Sequence, residues 1–163
     1  MQPPFHKFLD HTADVFFVAK AATLPELFNE CALAVEETMV DLTKVKPQKK
    51  IKILGEDTKI EGLLFDFLDE LLFYKDAKQL IFSKFDIQIE IKKRKEVKEE
   101  IKEIKKEEKN KTEEKYELTC SAYGEKLDMI RHEPRVDVKA ITMHEFSVEK
   151  VPEGWKAKVL IDI

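Results

Sequence analysis

The chain has 163 residues, 43% of them hydrophobic, enough for one domain with a buried core. Its 29 Lys and Arg stand against 33 Asp and Glu, a net charge of −4. That balance gives no electrostatic case for a nucleic-acid binder, although a local basic patch stays open.

Charged residues reach 38%, mostly Lys and Glu, with only two Asn, a composition resembling that of proteins from hot environments. Cys31 and Cys120 lie far apart among apolar or small neighbours. They read as buried thiols in a reducing compartment. No CxxC occurs, which argues against a thiolate zinc site. Met1-Gln2-Pro3-Pro4 has neither a basic nor an apolar region, so no signal peptide is expected. No apolar run approaches the roughly 20 residues of a membrane span.

Residues 5–9 read as a short first strand. A polar corner follows, Asp10-His11-Thr12-Ala13-Asp14. Val15 to Ala21 reads as a second strand whose near-continuous apolarity suggests burial on both faces. Thr23-Leu24-Pro25-Glu26 announces a helix: Thr23 can accept from the Glu26 N–H, and Pro25 falls in the first turn, where no donor is missed. Leu24, Leu27, Phe28, Cys31, Val35 and Met39 give that helix one apolar face, ending near Asp41.

Lys44 to Lys50 reads as a basic connector, Ile51 to Leu54 as a short strand and Gly55-Glu56-Asp57 as a turn. Thr58 to Glu61 repeats the capping pattern ahead of a second helix. Ile60, Leu63, Leu64, Phe67, Leu68, Leu71 and Leu72 form its apolar face. Asp66, Asp69 and Glu70 fall largely off that face and read as a solvated surface rather than a site.

Leu80 to Ile91 alternates like a strand. Lys92 to Lys115 is almost wholly Lys and Glu, with Val97, Ile101 and Ile104 at helical spacing. It reads as an inserted hairpin tip or a single mobile helix, not a second domain; its balanced charge favours a solvated excursion over a docking arm. Tyr116 to Ala122 resumes a strand, with a turn at Tyr123-Gly124-Glu125. Val136 to His144 alternates and runs on through Phe146 and Val148. Pro152-Glu153-Gly154 is a hairpin turn before the last strand, Trp155 to Ile163. The order of elements predicts a single α+β domain, two helices packed on a mostly antiparallel sheet, with the charged segment as an insertion.

Nucleophilic catalysis finds little support, because there is no Gly-x-Ser-x-Gly and no His beside Cys120. The four glycines form no phosphate-cradling run. Candidates for chemistry reduce to Asp10, His11, Asp14, Lys139, His144 and Asp162. Acids on separate strands, with a terminal carboxylate at Ile163, are hard oxygen donors suited to Ca²⁺ or Mg²⁺. Taken singly, each acid reads more simply as a surface carboxylate or a cap. Lys139 is a lone cation in a run that otherwise looks like a buried strand. It snorkels to an edge or neutralises nearby carboxylates. His6 and His132 read as ordinary.

His11-Thr12-Ala13-Asp14-Val15, the helix Leu63 to Leu72, Val138-Lys139-Ala140-Ile141-Thr142-Met143-His144 and the terminal Ile161-Asp162-Ile163 together resemble the archease family. Order and spacing fit along nearly the whole chain; only 92–115 departs. The resemblance implies a cytoplasmic accessory protein, not an enzyme. Its partner would be the GTP- and metal-dependent tRNA-splicing ligase, whose guanylylation and multiple turnover it promotes and whose nucleotide use it broadens. tRNA would be met only indirectly, and no membrane is involved. The resemblance also implies a divalent metal, calcium first, with Mg²⁺ or Mn²⁺ admissible. By position, Asp14, Asp162 and Ile163 match its ligands. Lys139 and His144 would line the site, with Asp10 and His11 in supporting places. Two readings from other classes stand beside this one. One is a metal-dependent hydrolase with an Asp/His centre. The other is a direct tRNA-binding module using 44–50 and 92–115, weakened in the second segment by interleaved Glu.

Overall fold

A computed structural model describes residues 2–11, 14–93 and 114–163. Seven strands and two helices follow one another as β1 (Phe5–Leu9), β2 (Val15–Ala21), α1 (Leu24–Met39), β3 (Lys49–Asp57), α2 (Ile60–Lys78), β4 (Leu80–Lys93), β5 (Glu114–Lys126), β6 (Ala140–Val151) and β7 (Gly154–Asp162). A short 3-10 turn, Leu42–Lys44, lies in the basic connector. The strands form two antiparallel sheets rather than one. The first has order β1-β2-β7-β6 and the second β3-β5-β4. The α+β class and the two helices are as expected from sequence. The division into two sheets was not legible there, because strand partners are set by long-range register.

Both helices use the signals in their sequences unevenly. Thr23 Oγ1 accepts from the Glu26 N–H at 3.3 Å, and Pro25 occupies the first turn of α1. At the other end two late carbonyls of α1 take donors from Arg135: its main-chain N–H reaches Met39 O at 2.8 Å and its guanidinium reaches Glu37 O at 3.1 Å. The start of α2 departs from expectation. Its N-cap is Lys59 with no side-chain cap, and Asp57 Oδ1, not Thr58, accepts the Lys59 N–H at 2.8 Å.

The apolar faces of both helices bury Leu27, Phe28, Cys31, Val35, Leu63, Leu64, Phe67, Leu68 and Leu71 in one core shared with both sheets. Phe28 stacks on Phe67 at 6.1 Å between ring centres, and Phe67 meets Phe85 of β4 edge-on at 6.2 Å. Each fully buried aromatic of this kind contributes roughly 3 kcal/mol through removal from water. Cys31 and Cys120 are buried free thiols, as expected. Burial pushes Cys120 up to about 12, which keeps it inert.

Two expected turns are absent. Gly55-Glu56-Asp57 continues β3, and Tyr123-Gly124-Glu125 continues β5. Gly124 instead marks a close approach: a Cβ there would sit 1.8 Å from Ile81 O, beside the bulge between Phe82 and Lys84. Nor is β2 buried on both faces. Phe17 and Ala19 point into the core, whereas Phe16 and Val18 are half-buried and Lys20 is exposed on the outside. The strand expected from Val136 begins only at Ala140, and 133–139 runs irregularly. β4 and β5 pair out to Lys93↔Glu114, and the expected tip or helix between them lies outside the described residues.

Candidate functional site

β2 and β7 pair from Ala21↔Trp155 to Val15↔Ile161, and β6 adds Ala140↔Asp162. Asp14 is the next residue out from Val15, and Asp162 the next from Ile161. Side chains alternate along both strands. Val15, Phe17, Val159 and Ile161 face the core, so Asp14 and Asp162 share the outer face at one end of the first sheet. Directly opposed residues on such strands have Cβ atoms about 5 Å apart. Continued one residue beyond the paired strands, this register sets Asp14 opposite Asp162. Ile163 follows at once.

Lys139 enters this corner through its backbone. Its N–H donates to Asp162 O at 2.9 Å, while the residue itself is exposed on the segment before β6. The expectation of a lysine in a buried strand is therefore corrected: the strand has not begun at that point. Val138, its neighbour, is the buried residue.

A wide bulge then reshapes β6. Thr142 pairs with Leu160 and Ser147 with Lys158, so Met143, His144, Glu145 and Phe146 stand against the single residue Val159. Phe146 turns inward onto Phe65 of α2 at 5.7 Å, and Glu145 takes a left-handed backbone with φ 54°. His11 lies between two acids. Its Nδ1 is 4.0 Å from Asp14 Oδ2, and its Nε2 is 3.7 Å from Glu145 Oε2. Its ring lies 6.0 Å from that of Phe16. Glu145 was not singled out in the sequence, because no local signal there announces a bulge of this length.

Not every candidate joins the group. His144 is exposed on the bulge and makes no ion pair among the described residues; its carbonyl accepts from Thr142 Oγ1 at 3.5 Å. Asp10 is exposed and likewise unpaired among them. Thr12 and Ala13 lie outside the described residues.

Two aspartates, with main-chain oxygens at Ile163, are the hard donors that a Ca²⁺- or Mg²⁺-type ion takes, so the residues fit such an ion in kind. They do not form a closed cage: among the described residues no three His, Cys, Asp or Glu side chains gather closely enough to hold an ion.

The model of the archease protein family (MTH1598/TM1083) matches residues 6–163. The chain belongs to the archease family. A protein archease of Pyrococcus abyssi is 38% identical over 157 residues, covering 94% of this chain and 95% of its own. One from Methanosarcina mazei is 32% identical over 158 residues, covering 97% and 95%. The solution structure of protein 1598 of Methanobacterium thermoautotrophicum superposes with a TM-score of 0.70 at 26% identity, covering 97% of this chain and 98% of that one. A Thermotoga maritima archease, titled a possible chaperone, shares the fold at a TM-score of 0.56 and 15% identity, with 96% of each chain covered. Among the described residues no helix is long and apolar enough to cross a membrane.

Proposed function

We propose that this chain is a cytoplasmic activator of the GTP- and metal-dependent tRNA-splicing ligase, promoting its guanylylation and multiple turnover and broadening its nucleotide use. The observation that carries the reading is the placement of Asp14 and Asp162 on one outer face, at adjoining strand ends, in a chain of the archease family. In this reading Asp14, Asp162 and Ile163 hold a divalent ion, calcium by preference, with Mg²⁺ or Mn²⁺ as substitutes. An ion held there would supply a compact positive charge at this end of the sheet. The chain's own residues do the positioning. The β2–β7 pairing sets the backbone up to Val15 and Ile161, next to the two aspartates, and the Lys139 N–H anchors the main chain of Asp162. His11 lies beside the acids, 4.0 Å from Asp14 and 3.7 Å from Glu145.

Two measurements test this. Calorimetric titration with Ca²⁺ is expected to show binding that Asp14→Ala and Asp162→Ala each weaken at least tenfold; wild-type affinity in both variants would sink the metal assignment. Stoichiometric wild-type protein is expected to speed guanylylation of the ligase, and Asp162→Ala protein to fail. Guanylylation at the same rate with and without wild-type protein rules out the activator reading.

A further inference from the structure

The first sheet packs its inner face on the helices and turns its outer face away from them; of the twelve outward residues in its three rows only Leu160 is buried. Its outward residues can be read in rows across β1, β2, β7 and β6. Leu9, Phe16, Leu160 and Thr142 form one row, next to the Asp14–Asp162 end. Lys7, Val18, Lys158 and Ser147 form the second, and Phe5, Lys20, Lys156 and Glu149 the third. Four lysines therefore share one face, and two of them, Lys20 and Lys156, are directly opposed. Like charges in that position repel. Glu149, across from Lys156 on the edge strand, is the single acid in the three rows. None of the four lysines makes an ion pair among the described residues.

The chain as a whole carries more acid than base, so this grouping is not imposed by composition. The second sheet shows what the same composition does elsewhere. Its solvent face interleaves the two signs and pairs them, Lys92 with Glu117 at 2.8 Å and Lys115 with Glu56 at 2.9 Å. A face that keeps its lysines together and unneutralised is built for an external anion.

The neighbouring groups narrow the anion. The Phe5 ring is exposed directly beside Lys20, and Phe16 lies two rows along the same face. Beyond the lysines the sheet ends in a cleft of about 780 Å³ lined by Phe5, Lys20, Trp155 and Lys156, with Glu153 in the adjoining turn. Cations grouped with the exposed Phe5 ring and the half-buried Phe16 on a four-stranded sheet backed by helices suit phosphates and a stacked base better than carboxylates. From Lys156 to Asp162 the strand covers six residues, roughly 20 Å. A strand of several nucleotides laid along it reaches from the cleft to the acidic end.

We propose that the outer face of the β1-β2-β7-β6 sheet binds single-stranded nucleic acid through its phosphate backbone, using Lys7, Lys20, Lys156 and Lys158, with Phe5 as a stacking surface. This contact is separate from the ligase reading, and neither depends on the other.

Anisotropy of a labelled 12-nucleotide oligouridylate, titrated with the full chain at several salt concentrations, tests the proposal. Binding is expected to weaken with salt at a logarithmic slope of about −2 to −3, for three to four phosphate contacts on a single strand. Lys20→Glu/Lys156→Glu should bind at least tenfold more weakly, with a shallower slope. Its thermal unfolding should stay close to that of wild type, since one like-charged pair replaces another. Oligodeoxythymidylate of the same length should bind about equally, as the contact is to phosphate. Lys44→Glu/Lys46→Glu, on the other basic stretch, should bind as wild type. Three results overturn the proposal: no binding by wild type at 50 mM salt, wild-type affinity in the Lys20/Lys156 reversal, or equal competition by a polyglutamate peptide of matched charge. The last would make the face a site for an acidic protein.

Discussion

Lys75 and Asp137 are joined at 2.6 Å, tying the last turn of α2 to the irregular segment that leads into Lys139 and Asp162. Lys75 sits where the apolar stripe of α2 would place another leucine, and its side chain is 8% exposed. Its Nζ also reaches Val138 O at 2.6 Å and Asp76 at 2.9 Å. Burial works to lower the pKa of the ammonium, but the bonds to Asp137 and Asp76 outweigh it and hold it above the ordinary value.

Lys75→Met keeps the apolar stem and removes these contacts. Both acids are largely exposed and return to water at little cost, while the buried Val138 carbonyl loses its donor. The expected loss is about 1–2 kcal/mol in equilibrium denaturation with an unchanged m-value. A neutral or stabilised variant would show that the tie contributes nothing.

His6 of β1 is held between two glutamates two turns apart on one face of α1, Glu30 at 2.7 Å and Glu37 at 2.6 Å. Partial burial opposes its charge, but the two carboxylates prevail and raise its pKa above 6.5. A raised folded-state value means the stabilisation is complete below the unfolded value of 6.5 and is lost as pH climbs past the folded one. His6→Gln is therefore expected to cost about 1 kcal/mol near pH 6 and almost nothing near pH 9. Denaturant midpoints for both proteins across that range check it. A gap that widens with pH contradicts the assignment.

The parts of the fold set by neighbours in sequence were legible there. Thr23 caps α1 as its position suggests, the stripe Leu63 to Leu72 is the buried face of α2, and β1 and β2 fall on the expected residues. What failed depends on distant partners. Gly55 and Gly124 look like turn residues in the chain, yet continue strands, at Gly124 because another backbone passes too close for a Cβ. Lys75 and Glu36 each occupy an apolar face, and only the packing shows that Lys75 has partners waiting. At the candidate site, Asp14 and Asp162 could be named from their motifs, but Glu145 could not, since the bulge that delivers it to His11 exists only in register with Val159. The lysine face was hidden for the same reason: an overall charge of −4 says nothing about which strands lie side by side.

Glu125 and His132 form a buried pair beneath the turn 128–132. His132 Nε2 bonds Glu125 Oε1, and its Nδ1 accepts the Asp128 N–H at 2.8 Å. Burial alone would raise the Glu125 pKa, but Arg131 and His132 together hold it below its ordinary value. A folded value that is depressed gives stability present at neutral pH and lost as pH falls through the acid range. His132→Ala leaves a buried carboxylate with the half-exposed Arg131 as its remaining charged partner and opens a cavity. About 2–4 kcal/mol of destabilisation is expected. Thermal or urea unfolding reads it. Met129 and Ile130, at the exposed tip of the same turn, should each tolerate Ala within about 0.5 kcal/mol.

Glu36 is the most deeply buried acid among the described residues. It is fully buried on α1, its Oε2 accepts the Phe82 N–H at 3.3 Å, and its Oε1 has no partner among the described residues. Burial pushes its pKa up to about 8, against the smaller pull of the Phe82 N–H and of Lys75. Between 4.5 and 8 the folded chain therefore keeps a proton that the unfolded chain has released. More protons bound in the folded state means that stability falls as pH rises through this window and levels off above it. Glu36→Gln retains an acceptor for Phe82 and has no charge to bury. At pH 5 the variant should match wild type within about 1 kcal/mol; at pH 8.5 it should be more stable by about 3 kcal/mol. The contrast with His6→Gln is diagnostic, since that substitution narrows a deficit as pH rises while this one opens a gain. Parallel pH–stability curves for wild type and Glu36→Gln would mean that Glu36 is charged in the folded protein at every pH tested.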